Sequence, residues 1–147
     1  MAKIYITAII NTKVLLDDYP QGGEVPDHLI SMYDTARRTK ENGYGTAQLT
    51  TKVSPGDHIV NIAMSTEPLD RIQIIDIQSE ATKKGGLFSK NGGKKPNLQD
   101  DGTWLSKVSP ISSAGAADKY TVRFTINGSE IEYFWDPKYE DDEEGGI

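Results

Sequence analysis

Apolar and polar residues alternate at every second position through much of this chain, the period of a half-buried β-strand. The clearest run sets Tyr120, Val122, Phe124 and Ile126 against Thr121, Arg123 and Thr125. Asn127-Gly128 follows, and Ile131, Tyr133 and Trp135 resume the alternation on a core-facing side. Asn-Gly between two such runs predicts a hairpin, because both turn residues must tolerate positive φ. Asp136-Pro137 is expected to end it, since proline cannot donate to a central ladder. Residues 46–53 alternate as cleanly, with Ala47, Leu49, Thr51 and Val53 facing one way and Gln48, Thr50 and Lys52 the other. Ser54-Pro55-Gly56-Asp57 then has the composition of a tight turn. Two more β-branched runs, residues 58–64 and 71–77, are parted by a turn at Glu67-Pro68.

Towards the N-terminus, residues 3–10 read as a strand that is apolar on both faces near its end, at Ala8, Ile9 and Ile10. Asn11-Thr12 can cap a short helix through Val14, Leu15 and Leu16, ending before Tyr19-Pro20 and Gly22-Gly23. Residues 29–36 fit either a strand or a helix ending at Arg37-Arg38, and strand is the preferred reading. From 80 to 102 the pattern lapses into glycine, lysine and asparagine, with Leu87, Phe88 and Leu98 among the few apolar residues, which predicts a long exposed loop. Trp104-Leu105 starts another short strand, and residues 112–118 form a small-residue connection. The fold class expected is all-β, an antiparallel β-sandwich with one short N-terminal helix. Residues 1–139 would make a single domain, and residues 140–147 an acidic tail.

The 147 residues are enough for one core without disulfides or a structural metal, and with 0 cysteines the chain must manage without the former. Thiol nucleophiles, zinc ribbons and iron–sulfur ligation are excluded by the same count. Of the formal net charge of −6, setting aside the five contiguous acids Glu140, Asp141, Asp142, Glu143 and Glu144 leaves −1. The body is therefore nearly neutral, with no basic surface expected for nucleic acid. The opening residues lack the apolar segment of a secretion signal, and no run approaches the roughly 20 apolar residues of a membrane span. A cytoplasmic, membrane-free protein is expected.

Three segments together resemble the AidA/PixA inclusion-body protein family of bacteria. The first is Ile9-Ile10-Asn11-Thr12-Lys13-Val14-Leu15-Leu16-Asp17-Asp18-Tyr19-Pro20, and the second is Val53-Ser54-Pro55-Gly56-Asp57-His58-Ile59. The third is the ending Tyr133-Phe134-Trp135-Asp136-Pro137. The order and spacing of the three resemble that family over most of the chain. What the resemblance implies is a β-sandwich, a cytoplasmic bacterial protein, and expression tied to population density or late growth. Some relatives accumulate as inclusions, and no reaction or catalytic residue is implied.

The residues themselves offer little chemistry. Lys83-Lys84-Gly85-Gly86 and Gly92-Gly93-Lys94-Lys95 suggest a phosphate loop, but Phe88 stands where its first glycine belongs and Lys95 replaces the magnesium-binding hydroxyl. Asn97, Gln99, Asp101 and Gly102 imitate the opening of a calcium loop, yet Val108 occupies the place of the bidentate glutamate. His28 and His58, the only histidines, lie near no Gly-x-Ser-x-Gly elbow. No catalytic residue, metal site or cofactor is therefore expected. Trp104 with Asp100 and Asp101 is the candidate binding site for a small ligand or glycan, the indole stacking on a sugar face and the carboxylates taking its hydroxyls. Trp135 could serve in the same way but shares the core face of its strand. Unpaired sheet edges and a nearly neutral body favour self-association, so a homo-oligomer is the expected partner state. The preferred functional reading is a non-enzymatic protein that self-associates or binds a partner. A small-ligand or glycan module is the alternative.

Overall fold

A computed structural model describes residues 2–36, 43–79, 87–88, 93–109 and 117–141. The first strand, β1 (Lys3–Ile10), buries Ile4, Ile6, Ala8 and Ile10 on one face, as its alternation requires. Asn11 accepts a hydrogen bond from Val14 N at 3.1 Å and so caps α1 (Thr12–Asp18), which sinks Thr12 and Leu15 inward. A short strand β2 (Gly23–Glu24) and a 3-10 turn (Asp27–Leu29) lead to β3 (Ile30–Asp34), which settles the ambiguous stretch as a strand. Then come β4 (Thr50–Val53), β5 (His58–Ser65) and β6 (Ile72–Ser79). The last five are β7 (Lys94–Leu98), β8 (Trp104–Lys107), β9 (Ala117–Ile126), β10 (Tyr133–Trp135) and β11 (Lys138–Asp141).

These strands form two sheets. One runs β3-β1-β5-β8-β7. In the other, β9 is central, with β6 on one side and β10 and β11 in succession on the other; β10 then takes β2, and β11 takes β4. The fold is a β-sandwich with one short helix near the N-terminus, and its sheets are mixed rather than wholly antiparallel. β1 with β5, β2 with β10 and β4 with β11 are parallel pairs. The reason is connectivity: β2, β3 and β4 intervene between β1 and β5, long enough for the chain to return in the same direction.

The aliphatic and aromatic side chains of both inner faces interlock between the sheets. Phe124 stacks on Tyr133 and meets Trp135 edge-on, while Tyr120 stacks on Tyr139 with ring centres 3.9 Å apart. Polar ties cross the same gap. Asn61 Nδ2 donates to the Tyr139 hydroxyl at 3.1 Å, Thr51 Oγ1 to Asp34 at 2.7 Å, and Trp135 Nε1 to the Met32 sulfur at 3.2 Å.

Several boundaries differ from the sequence reading. Within 80–102, Leu87 and Phe88 are buried and Lys94–Leu98 forms an edge strand with Pro96 inward, so that stretch is not wholly an exposed loop. A few apolar anchors suffice to hold an otherwise polar segment against the core. Residues 80–86 and 89–92 lie outside the described residues. Glu140 and Asp141 belong to β11, not to a tail, because β4 offers that strand a ladder and Lys52 an ion pair for Glu140. Residues 142–147 lie outside the described residues, as do Arg37 and Arg38, and most of the 112–118 connection. Pro137 interrupts the β10 ladder but does not end the sheet: Tyr120 N donates to its carbonyl at 3.1 Å and the chain resumes along β9 as β11. The Asn-Gly turn forms with φ of 55° and 74° and with Ser129 N donating to Ile126 O at 3.1 Å. Phe124 nevertheless pairs with Tyr133, two residues out of a simple two-residue-loop register, so Ile131 falls in the connection before β10 and is exposed.

Candidate interaction face

The two outer surfaces of the sandwich have opposite character. On the β9 sheet the outward residues are mainly polar or charged: Gln73, Asp76, Gln78, Thr121, Arg123, Lys138 and Glu140, with Lys119 held 3.8 Å from Asp136. The one large ring there, Phe134, is covered by the Arg123 guanidinium at 5.2 Å from its centre.

On the five-stranded sheet the outward rows are apolar. The paired rows read Tyr5 with Val60 and Leu105, Thr7 with Ile62 and Tyr33, and Ile9 with Met64. Paired residues point to the same side of a sheet, so these side chains share one surface. Tyr5 is 40% exposed and Met64 47%, while Tyr33 packs edge-on against Tyr44 at 5.1 Å between ring centres. The outer face is therefore apolar along its middle, with Ser31 beside Ile9 and Asn97 beside Leu105 towards its two edges. At the margin of the surface lies a row of basic residues, Lys94 with Lys107, His58 and Lys3.

Two of the sheet edges are blunted. β6 carries a bulge at Ile75, where its register against β9 slips by one, and Trp104 Nε1 donates to the Ile74 carbonyl at 3.0 Å. β7 has Lys94, Lys95 and Pro96 in succession and its own irregularity between Lys94 and Asn97. Bulges, lysine and proline are the devices that prevent strand addition at an edge. On the far side, the β3 edge is partly engaged: Ile30 N donates to Asp27 O, and Met32 O accepts from Gly45 N at 2.7 Å.

A shallow cleft of about 510 Å³ lies between α1 and the β5–β6 turn, lined by Lys13, Leu16, Asp17, Glu67, Pro68, Leu69 and Asp70. Leu69 at its rim is 92% exposed. Thr12 Oγ1 is hydrogen-bonded to Ser65 Oγ at 2.6 Å and donates to Asp70 at 2.5 Å, and Asn127 Nδ2 donates to the other Asp70 oxygen at 2.9 Å. These two donors, Thr12 foremost, hold the Asp70 carboxyl below the ordinary carboxylate range. The cluster has no base or nucleophile pair. It ties the helix to the turn and to the hairpin.

The sequence-proposed residues fall elsewhere. Trp104 is 8% exposed, its ring in the core and its N–H committed to Ile74, so it presents no stacking face. Asp100 and Asp101 are exposed in the β7–β8 turn, where Asp101 accepts from Thr103 N and Oγ1 at 3.0 and 2.6 Å. Those bonds, the Thr103 hydroxyl first, lower its pKa. The two carboxylates thus border the strand that starts with Trp104 without sharing a pocket with its ring. Trp135 is buried, as its face predicts. His28 sits in the 3-10 turn, next to Leu29, whose carbonyl accepts from Asn11 N beyond one end of β1, whereas His58 pairs with Lys3 at the other end. At about 3.3 Å per residue the imidazoles stand roughly 20 Å or more apart. Among the described residues no group of three or more His, Asp or Glu side chains could hold a metal ion, and no helix is long and apolar enough to cross a membrane. Lys94 and Lys95 lie on an edge strand rather than in a phosphate loop; Lys83 to Gly86 and Gly92 are outside the described residues.

The outer apolar face escaped the sequence reading, although its signal was there. Ile59-Val60, Ile62-Ala63-Met64 and the end of β1 are apolar at consecutive positions, which a one-sided strand does not need.

These features define a class: a two-sheet β-sandwich with mixed sheets and a short N-terminal helix. The same architecture occurs in a crystal structure of the inclusion body protein PixA from Burkholderia cenocepacia J2315, with a TM-score of 0.69 over 96% of each chain and 13% sequence identity. At that identity the likeness is one of fold, and the fold is the PixA-like one that the three sequence segments suggested. The chain belongs to the family described as a domain of unknown function, DUF8788, whose profile matches residues 2–132. No curated protein matches it.

Proposed function

We propose that the protein is non-enzymatic and cytoplasmic and works by self-association through the outer face of its five-stranded sheet. The observation that supports this reading is the apolar surface of Tyr5, Ile9, Tyr33, Ile62, Met64 and Leu105, set against a polar surface on the other sheet. A second copy is the preferred occupant because the six residues of this surface carry no charge, so two such faces meet without strong repulsion. From strand spacing and rise, the face covers on the order of 500 Å², below the roughly 800 Å² per partner of a standard stable interface. Association is therefore weak and concentration-dependent, and the blunted edges direct it to the faces of the sheets. The relative is called an inclusion body protein; carrying assembly over to this chain is part of the proposal. The glycan reading depended on Trp104, and it loses its platform with that ring inside the core.

Size-exclusion chromatography with light scattering tests this. Between about 10 μM and 1 mM the mean mass should rise above that of one chain. Tyr5→Lys with Met64→Lys should weaken association by about tenfold or more, each added charge having to be desolvated in the contact. Gln73→Lys with Thr121→Lys, on the opposite surface, should leave it unchanged. A monomer across the whole range sinks the proposal, as does equal sensitivity of the two surfaces.

A further inference from the structure

The β7–β8 hairpin carries opposite charge at its two ends. At the open end Lys94 lies opposite Lys107, and the line continues through His58 to Lys3, so four neighbouring strands each place one basic residue on the outer face. Like charges opposite one another weaken a ladder, so the row does not serve the fold. At the closed end Asp100 and Asp101 are both exposed. Alternation puts Thr103 on the side of Leu105 and Lys107, and Asp101 accepts from the Thr103 hydroxyl at 2.6 Å. The acidic turn therefore borders the outer face too. The Lys3 ammonium, 5.6 Å from the Tyr5 ring centre on that face, is near enough to act on the Asp101 carboxylate. At about 3.3 Å per residue the two ends of the hairpin stand roughly 15 Å apart. Among the described residues, none of Lys94, Lys107, Asp100 and Asp101 enters an ion pair.

A contact between two identical faces is isologous, and its twofold axis lies in the plane of contact. Packed sheets hold their strands within about 30° of one another, which leaves two arrangements. With the axis along the strands, the basic row of one copy faces the basic row of the other. With the axis across the strands, each strand meets its own copy running the opposite way. The row of Tyr5, Val60 and Leu105 then packs on the row of Thr7, Ile62 and Tyr33, and the closed end of each hairpin reaches the open end of the other. Juxtaposed like charges disfavour the first arrangement, and opposite charges favour the second. We infer that two copies meet with their strands antiparallel across the contact, Asp100 and Asp101 of each lying over Lys94 and Lys107 of the other. The orientation presupposes self-association through this face and adds how the copies are turned. Its two charged junctions fix the register of the apolar rows between them.

Complementary charge variants test the orientation by light scattering and sedimentation equilibrium at low salt. Lys94→Glu with Lys107→Glu should weaken self-association about tenfold. Asp100→Lys with Asp101→Asn should do the same, the asparagine keeping an acceptor for Thr103. Mixed in equal amounts, the two variants should associate with each other about as strongly as native chains do, which also shows that both are folded. At about 1 M salt, where the screening length falls to about 3 Å, the differences should vanish. Failure of the mixture to associate would overturn the orientation. So would tighter binding of the Lys94→Glu, Lys107→Glu chain to native protein than of native protein to itself, the mark of row against row. If both charge variants associate like the native chain while Tyr5→Lys with Met64→Lys does not, the face stands and the orientation falls. A native chain that stays monomeric overturns both.

Discussion

Gly22 and Gly128 both adopt positive φ, at +83° and +74°, but their surroundings differ. A Cβ at Gly22 would stand 2.5 Å from the Glu132 carbonyl oxygen, whereas one at Gly128 would meet nothing within 4 Å. Gly128→Ala should therefore cost only the left-handed backbone penalty of about 1–2 kcal/mol. Gly22→Ala should cost clearly more, because backbone has to move; urea midpoints of the two variants give the order directly. Trp104→Phe removes the donor to Ile74 O and leaves a carbonyl beside the bulge unsatisfied. The expected loss is about 1–3 kcal/mol in urea unfolding. Asn127-Gly128 was legible from its dipeptide alone, since local sterics decide it. Trp104 was not: whether an indole faces a ligand or a neighbouring strand depends on where β6 lies, and no local pattern records that.

Elements are held to one another by a few polar junctions, and the Asp70 cluster joins three of them: α1, the β5–β6 turn and the β9–β10 turn. A carboxyl whose pKa is lowered on folding adds stability above its unfolded value, near 3.8, and that contribution is lost as the pH falls through the folded value. Asp70→Asn should thus flatten the acid limb of the Tm-against-pH curve below about pH 4, with little change in its shape near neutrality. Edges are the other concern at this scale. Pro96→Val with Lys95→Val would restore a donor and remove a charge on β7, and light scattering should show faster aggregation than for the native chain. The strands with strict alternation were legible in the sequence, whereas β7 was not. Its five residues include two lysines, a proline and an asparagine, and only pairing with β8 makes them a strand. β11 was hidden for the same reason, its acids resembling a solvated tail until β4 supplies a ladder.

For the whole molecule, the tyrosines between the sheets link the two halves to pH. Burial raises the Tyr139 phenol far above its ordinary value of 10.0, and burial likewise raises Tyr120. A raised pKa of this kind contributes stability that is fully present below about pH 10 and lost as the pH climbs towards the folded value. Alkaline unfolding should therefore begin near pH 10 and expose both phenols together, which absorbance at the phenolate band follows alongside circular dichroism. Tyr139→Phe should shift that limb upward, though it also removes the partner of Asn61. The asymmetry between an apolar and a polar outer surface belongs to this scale as well, because it exists only once the strands are ordered side by side.

Alternation and turn chemistry by themselves determined the β-sandwich, the short capped helix, the N-terminal and central strands and the Asn-Gly turn, since each depends on the conformational preferences of a few adjacent residues. Tertiary structure alone decided which strands run parallel, that polar segments complete the sheets as β7 and β11, that Trp104 is interior, and that Lys94, Lys107, His58 and Lys3 stand in one row. Those facts come from pairing between residues tens of positions apart, and hydrogen-bond ladders of that kind bring backbone to backbone with little regard for side-chain identity.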